Sequence, residues 1–257
     1  IGHGWNAESF GISTVGGWNP DADNPVPEEV RQYLAMIDGK RDLFDGVALN
    51  TNFCMSNAKA RKIVTKTVCD YAQSNTNVDY LHVWLADAHK NQCECEECRK
   101  KTPSDWYVIL LNEIDEELTA RKLDTRIAFC VYSDTQYEPT CEYIKNPKRF
   151  TMQLGAISRS YLYSVEKNPK VETKTTFELN KSGRFETMEE YIFHVNEWRK
   201  FAPCNSIAYE YHFWKHQFYA PGTLSFARRI YEDVFSYKGN GFDGIIEDGS
   251  QRAFFPN

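Results

Sequence analysis

Short apolar runs alternate with longer amphipathic segments along most of the chain. Residues 80–86 are mostly apolar and aromatic and too few for a helix, which predicts a buried strand. Further along, Leu110, Ile114 and Leu118 recur at the spacing of one helix face. Such alternation of strands and helices indicates a parallel sheet with helical crossovers. The same pattern predicts strands over 126–132, 150–157, 206–211 and 242–246, and helices over 56–74, 104–122, 187–201 and 223–237.

Four segments are less regular. Residues 1–5 predict a short strand, 27–37 a short helix, and 47–53 a short strand or an extended loop. Residues 167–184 are polar, contain turn residues and predict a long excursion. No low-complexity linker divides the chain, so we predict a single domain over residues 1–257.

A polar residue follows the end of each of five apolar strands: Asp87, Asp134, Arg159, Glu210 and Glu247. Polar groups that converge from the carboxyl ends of many strands are typical of barrel enzymes. A nucleotide-binding sheet would carry a glycine-rich phosphate loop, and the sequence has neither common phosphate-loop motif. We therefore predict an α/β fold of the (β/α)8 TIM-barrel type. Six strands are well defined, so we expect an incomplete barrel that lacks its first strands.

Composition narrows the classes of partner. The chain has 257 residues and a net charge of −6, which argues against a nucleic-acid binder with a basic face. No apolar run approaches the roughly 20 residues of a membrane-spanning helix. Aromatic residues make up 14% of the chain, and aromatic clefts suit sugar rings, although core packing explains most aromatics.

Two strand-end carboxylates are the predicted catalytic residues. Asp87 could act as a base, orient a substrate group or stabilise developing positive charge. Its alternative role is a loop carboxylate bonded to backbone amides. Glu210 lies between Tyr209 and another tyrosine, and aromatic walls disfavour a charged carboxylate, so it is the candidate general acid. Its alternative role is an ion pair with Arg159 or Lys215.

Further residues near strand ends are predicted to bind substrate. Arg159 could bind carboxylate or hydroxyl groups of a ligand, or neutralise one of the strand-end carboxylates. Trp84 could form a stacking floor with Trp5 and Trp214, although core packing is the alternative. The predicted set is His3, Trp84, Asp134, Arg159, Tyr209, His212 and Glu247.

The loop after the central strand contains a dense cysteine motif, Cys93, Cys95 and Cys98. This spacing is too tight for an ordinary disulfide framework and predicts a metal or redox role. Three thiolates can fold around one zinc ion, with Cys54 or His89 as the fourth ligand. Four thiolates would make a structural site, and an open three-ligand site would be catalytic. Buried thiols without metal are the alternative.

Several motifs resemble a large bacterial family catalogued as domain of unknown function 4838. The resemblance covers essentially the whole chain, and the cysteine motif together with PSDWY is fairly specific. The motifs are HGW at 3–5, GKR at 39–41, NTNFC at 50–54, the cysteine run over 87–98, PSDWY at 103–107 and DGSQRAFF at 248–255. That family is similar to glycoside hydrolase family 163, whose members are endo-β-N-acetylglucosaminidases that act on complex N-glycans.

The resemblance implies a substrate-assisted mechanism. In such relatives a strand ends in two adjacent acids, one of which orients the acetamido nucleophile of the substrate while the next is the general acid. Asp87 matches the first acid, but Ala88 stands in place of the second. We therefore expect a glycoside hydrolase that requires no cofactor for catalysis. The alternatives are a barrel that binds carbohydrate without cleaving it, and a metal-dependent hydrolase centred on the cysteine loop.

Overall fold

The computed structural model of the protein describes residues 2–22, 24–161, 163–165, 175–213 and 223–248. Ile1, Trp214 and Lys215, and residues 167–174 of the excursion, lie outside these ranges.

The main sheet contains five parallel strands within the described residues. A separate antiparallel hairpin comes first, formed by β1 (Met36–Ile37) and β2 (Lys40–Arg41). The parallel strands are hydrogen-bonded in chain order and curl into a half-barrel. They are β3 (Tyr80–His82), β4 (Arg126–Val131), β5 (Phe150–Gly155), β6 (Asn205–Glu210) and β7 (Gly244–Glu247). The predicted α/β class and parallel sheet are confirmed, and the half-barrel is compatible with an incomplete barrel.

Helices connect these strands. The described α-helices are α1 (Trp5–Glu8), α2 (Glu28–Arg31), α3 (Ala58–Ser74), α4 (Pro103–Ala120), α5 (Met188–Phe201) and α6 (Thr223–Gly239). Short 3-10 helices span Gly2–Gly4, Phe44–Gly46, Ala48–Asn50, Cys98–Lys100, Ser133–Gln136 and Pro147–Arg149. None of the helices in the described part of the chain has the length and apolarity to cross a membrane.

The two faces of the sheet have different environments. Phe129 on β4 is fully buried, and its ring contacts Tyr107 of α4 and Trp198 of α5. In the strand register Phe129 stands beside Met152, which is also fully buried. This face is therefore the outer, helix-covered face and forms the main core. Because side chains alternate along a strand, Cys130 and its neighbours in register point to the inner face.

The predicted first strand is wrong over its described part, because residues 2–8 form helical turns. Their position beside β3 is nevertheless explained by side-chain contacts. Trp5 Nε1 donates to the carbonyl of His82 at 2.7 Å, and His3 Nδ1 lies 2.6 Å from the carbonyl oxygen of Leu85. Two side chains therefore occupy backbone acceptors at the edge of β3, in place of a paired strand.

Other boundaries also differ from prediction. The helix predicted over 27–37 ends at Arg31, and its last residues form β1 instead. For 47–53, predicted as a short strand or an extended loop, no strand forms, since this segment contains a 3-10 helix and a single bridge, from Phe53 to Leu34. The helix predicted to begin at residue 56 is capped instead by Asn57, which accepts from two amides of its first turn.

Candidate functional site

An aromatic floor lies on the inner face of the sheet, at the carboxyl ends of the strands. Trp84 follows β3, and its ring centroid lies 6.1 Å from that of Tyr209 on β6. Three strand intervals span about 14 Å in a flat sheet, so the curl brings these rings together. His3 packs against Trp84 at 5.0 Å, and Tyr211 packs against Tyr209 at 5.1 Å. We define the aromatic floor as His3, Trp84, Tyr209 and Tyr211.

A small recess opens beside the aromatic floor, between the loops that follow β3 and β4. Gly2 sits over Trp84 with φ +47°, and a Cβ there would lie 3.1 Å from the indole ring. The tight approach therefore requires glycine. Within the described residues, Trp84 Nε1 has no hydrogen-bond partner. A buried indole N–H usually has one, so this donor is free to bind a ligand.

Asp87 lies next to the aromatic floor, with its carboxylate in a defined orientation. Its Oδ2 accepts from Trp18 Nε1 at 3.0 Å, and its Oδ1 accepts from the backbone N–H of Ala88 at 2.8 Å. Burial and the nearby Asp87 charge raise the pKa of Tyr132, so this phenol remains protonated and able to donate. The structure thus places Asp87 among hydrogen-bond donors, between Ala86 and Ala88, which both line the recess.

Buried asparagines fix the backbone that bears Asp87. Asn52 Oδ1 accepts from Asn6 and from the backbone N–H of Ala86, both at 3.0 Å. Asn52 Nδ2 in turn donates to Asn91 Oδ1 at 3.0 Å, and Asn91 donates to the carbonyl of Asp87. Because all three asparagines are buried, this network positions the Asp87 loop more rigidly than a solvated turn would.

Three non-glycine residues with positive φ lie in the loops that follow β3 and β4, namely Ala88 at +73°, Lys90 at +62° and Ser133 at +55°, and the first and last of them line the recess. Each such conformation costs on the order of 1 kcal/mol or more and persists only where neighbouring contacts impose it. Here the Ser133 hydroxyl donates to the carbonyl of Ala88 at 2.7 Å, which ties the two loops together. Backbone strain of this kind is concentrated at functional sites.

Asp134 lines the recess but is only 3% exposed. Its Oδ2 accepts from the backbone N–H of Lys90 at 2.9 Å, and burial raises its pKa. His89 Nε2 lies 3.4 Å from Asp134 Oδ1. This pairing places His89 with Asp134 and away from the cysteine cluster for which it was a candidate ligand.

Glu210 belongs to a separate buried network on the outer face of the sheet. It follows Ala208 on the helix-covered side and is fully buried. Arg159 Nε lies 3.1 Å from Glu210 Oε1, and Tyr161 donates to Glu210 Oε2 at 2.7 Å. Tyr237 of α6 also donates to this carboxylate. Glu210 thus forms the ion pair with Arg159 that was predicted as the alternative to a role as general acid. Arg159 pairs with this carboxylate rather than with Asp134. A catalytic role for Glu210 stays a prediction.

The same network extends to His212. Its Nε2 lies 2.9 Å from Asp233 of α6, and its Nδ1 lies 3.0 Å from Glu247. Burial lowers the pKa of His212, but the hydrogen bonds to Asp233 and Glu247 outweigh this effect and raise it to about 9. Arg159 also pairs with Asp233. Three of the predicted ligand-binding residues, Arg159, His212 and Glu247, thus lie together and apart from the aromatic floor.

The raised pKa of His212 predicts a loss of stability at alkaline pH. An unfolded histidine titrates near pH ~6.5, so the protonated form stabilises the fold fully below that value. This contribution, about 3 kcal/mol, is lost as the pH rises through 9. We expect the free energy of unfolding in urea to fall more steeply from pH 6.5 to 9.5 in the wild type than in His212→Gln. Equal slopes in the two proteins would contradict this assignment.

Cys54 joins Cys93, Cys95 and Cys98 in one cluster, as predicted. The four sulfur atoms lie within 4.8 Å of one another, and Cys54 Sγ is 3.7 Å from Cys95 Sγ and 3.8 Å from Cys98 Sγ. A zinc tetrahedron with Zn–S bonds of about 2.3 Å has S···S edges of about 3.8 Å. The arrangement therefore matches four thiolates around one ion, and all four cysteines are free of disulfides.

Backbone and hydroxyl groups surround the sulfur atoms. The N–H groups of Met36 and Ser56 donate to Cys93 Sγ at 3.3 Å and Cys98 Sγ at 3.4 Å. Hydrogen bonds from Cys93 and Cys98 lower the pKa of Cys54, while the bond to Cys54 raises the pKa of Cys98. The four thiols are thus close enough to share protons, with Cys54 as the acceptor of hydrogen bonds from its neighbours.

The sequence alone did not single out several residues of these sites. Trp18 and Tyr132 contact the Asp87 region, and Asp233 and Tyr237 complete the Glu210 network. Asp233 and Tyr237 are four residues apart on α6, so they share one helix face. A carboxylate on the same helix face as buried apolar residues is the signal that could have revealed them.

Comparison with known proteins identifies a family for nearly the full length of the sequence. Residues 3–254 match the family model described as "Domain of unknown function (DUF4838)". No match is found among curated proteins or among solved structures. The matched segment begins at His3 of the aromatic floor and includes Asp87 and the cysteine cluster. The chain belongs to the family named Domain of unknown function (DUF4838).

Proposed function

We propose that the protein is a glycoside hydrolase that acts on glycans containing N-acetylhexosamine, and that its sheet is part of a (β/α)8 barrel. The observation that supports this most is the position of Asp87 beside the aromatic floor. Aromatic faces bind the apolar faces of sugar rings, and a fixed carboxylate provides polar recognition. Trp84 Nε1, which has no partner among the residues that the structure describes, adds a donor at the same place.

Asp87 would act on the substrate rather than on water. Its two oxygens are already oriented by Trp18 and by the backbone of Ala88. A carboxylate held in this way can orient an acetamido group and stabilise the positive charge that develops on it. The resemblance to family 163 hydrolases supports this role for Asp87.

A second candidate function is carbohydrate binding without hydrolysis. Two observations favour it: Ala88 provides no acid next to Asp87, and Glu210 is fully buried in an ion pair with Arg159. Oligosaccharide binding measured by calorimetry, with no product after prolonged incubation, would support this function over hydrolysis.

The hydrolase proposal is tested with Asp87→Asn. We expect kcat on complex N-glycans or on an aryl N-acetyl-β-D-glucosaminide to fall about 10²-fold or more, because the amide cannot stabilise developing positive charge. The melting temperature should stay near that of the wild type, since the amide keeps an oxygen acceptor. Asp124→Asn, an exposed carboxylate before β4, is the control and should retain full activity. Undiminished activity of Asp87→Asn would remove Asp87 from the mechanism.

We also propose that the four-cysteine cluster binds a structural zinc ion. Four sulfur ligands complete a tetrahedron and leave no open position for water or substrate. This argues against the metal-dependent hydrolase hypothesis, which needs an open site. The cluster lies at the far end of the loop that begins at Asp87, so zinc would stabilise one wall of the recess. One zinc ion per purified chain is the expected metal content.

A further inference from the structure

A second carboxylate, that of Asp248, faces the aromatic floor. The role that we infer for it rests on the proposed function. Glu247 and Asp248 are adjacent at the end of β7, so their side chains point to opposite faces of the sheet. Glu247 stands beside Glu210 in the strand register and pairs with His212 at 3.0 Å. Glu247 therefore faces the helix-covered side, and Asp248 faces the inner side.

Asp248 contacts the aromatic floor through Tyr209. The Tyr209 hydroxyl donates to Asp248 Oδ1 at 3.4 Å, and the same ring packs against Trp84. Burial is the main reason why the pKa of Tyr209 is raised to about 12, so the phenol stays protonated at neutral pH and donates to Asp248. The backbone N–H of Asp248 donates to the carbonyl of Glu210 at 2.8 Å, which fixes its position relative to β6.

The two carboxylates of the inner face are held differently. Asp87 accepts two hydrogen bonds at ordinary distances, from Trp18 and from the backbone of Ala88. Within the described residues, the Asp248 carboxylate accepts one hydrogen bond, at a distance long for O–H···O. Asp248 is also partly exposed, so its carboxylate is accessible from solvent.

We propose that Asp248 is the general acid of the site. As the bond from the anomeric carbon to the leaving oxygen breaks, the acetamido oxygen of the sugar bonds to that carbon. The proton of Asp248 then passes to the leaving oxygen, which keeps the electron pair of the broken bond. The Asp248 carboxylate next takes a proton from the water that opens the cyclic intermediate, which restores the acid. Asp87 stabilises the charged acetamido nitrogen throughout.

The test compares leaving groups in Asp248→Asn. A glycosidic sugar oxygen needs a proton to depart, whereas 2,4-dinitrophenolate does not. We expect kcat on complex N-glycans to fall about 10²-fold or more, and kcat on 2,4-dinitrophenyl N-acetyl-β-D-glucosaminide to fall less than about 5-fold. The basic limb of the kcat–pH profile on N-glycans should also disappear. Asp124→Asn serves as the control with unchanged rates.

Each result decides between the two proposals. Wild-type rates in Asp248→Asn, with activity lost in Asp87→Asn, would overturn the role of Asp248 and leave the hydrolase assignment standing. An equal loss on both substrates would also overturn it, because the residue would then act in binding or folding. A wild-type protein that gives no product from either substrate would overturn both proposals.

Discussion

Replacing Cys98 by serine is expected to remove the zinc ion and to destabilise the protein by about 4 kcal/mol, which lowers the melting temperature by about 10 °C. A serine hydroxyl is a poor zinc ligand, and the cluster would lose one of four sulfur atoms. The loss of stability should be large because the cluster joins segments that are distant in sequence. Cys54 follows the bridge between Phe53 and Leu34, whereas the other three cysteines lie in the loop after β3.

Metal analysis and thermal unfolding together test this prediction. Cys141→Ser is the matched control, because this thiol is exposed and lies outside the cluster. It should keep one zinc ion per chain and the melting temperature of the wild type. Treatment of the wild type with a strong chelator should reproduce the effect of Cys98→Ser. A metal-free wild-type protein, or a Cys98→Ser variant that melts like the wild type, would contradict the structural zinc site.

Replacing Arg159 by methionine is expected to cost about 3–5 kcal/mol of folding free energy, because it removes the guanidinium that pairs with two buried carboxylates. Glu210 and Asp233 both pair with this guanidinium, and the side chains of all three residues are 0% exposed. Methionine fills much of the volume of the arginine side chain. The change in folding free energy therefore measures the loss of the positive charge rather than the creation of a cavity.

The midpoint of urea unfolding measures this cost. Arg228→Met is the control, since Arg228 pairs with Glu232 on the surface and is 80% exposed. Exposed pairs contribute at most about 1 kcal/mol, so this variant should unfold close to the wild type. If Arg159→Met unfolded at the same urea concentration as Arg228→Met, the buried network would not be a major source of stability.

The strands and long helices could be predicted because their apolar residues recur with clear periods. The apolar runs that end before Asp87, Asp134 and Glu247 all lie in or next to strands of the sheet. The cysteine cluster could also be predicted in part, since Cys93, Cys95 and Cys98 are close in sequence. The fourth member, Cys54, lies 39 residues before Cys93 and could only be proposed as one of two candidates.

The sequence did not reveal which face of the sheet each carboxylate occupies. Strands of a parallel sheet are buried on both faces, so apolar residues fill both the odd and the even positions. Glu210 and Asp248 therefore look alike in sequence, although one faces α6 and the other faces the aromatic floor. The strand predicted over residues 1–5 was wrong for another reason. Its helical turns depend on tertiary contacts from His3 and Trp5, which no local pattern encodes.

The contacts of His3 and Trp5 also bear on how copies of this protein behave toward one another. An edge strand with unpaired carbonyl groups is a template to which a foreign strand can add, and this is a common start of aggregation. At the edge of β3, the indole and imidazole rings already occupy the carbonyl groups of His82 and Leu85. These two side chains thus protect this edge from pairing with a second chain.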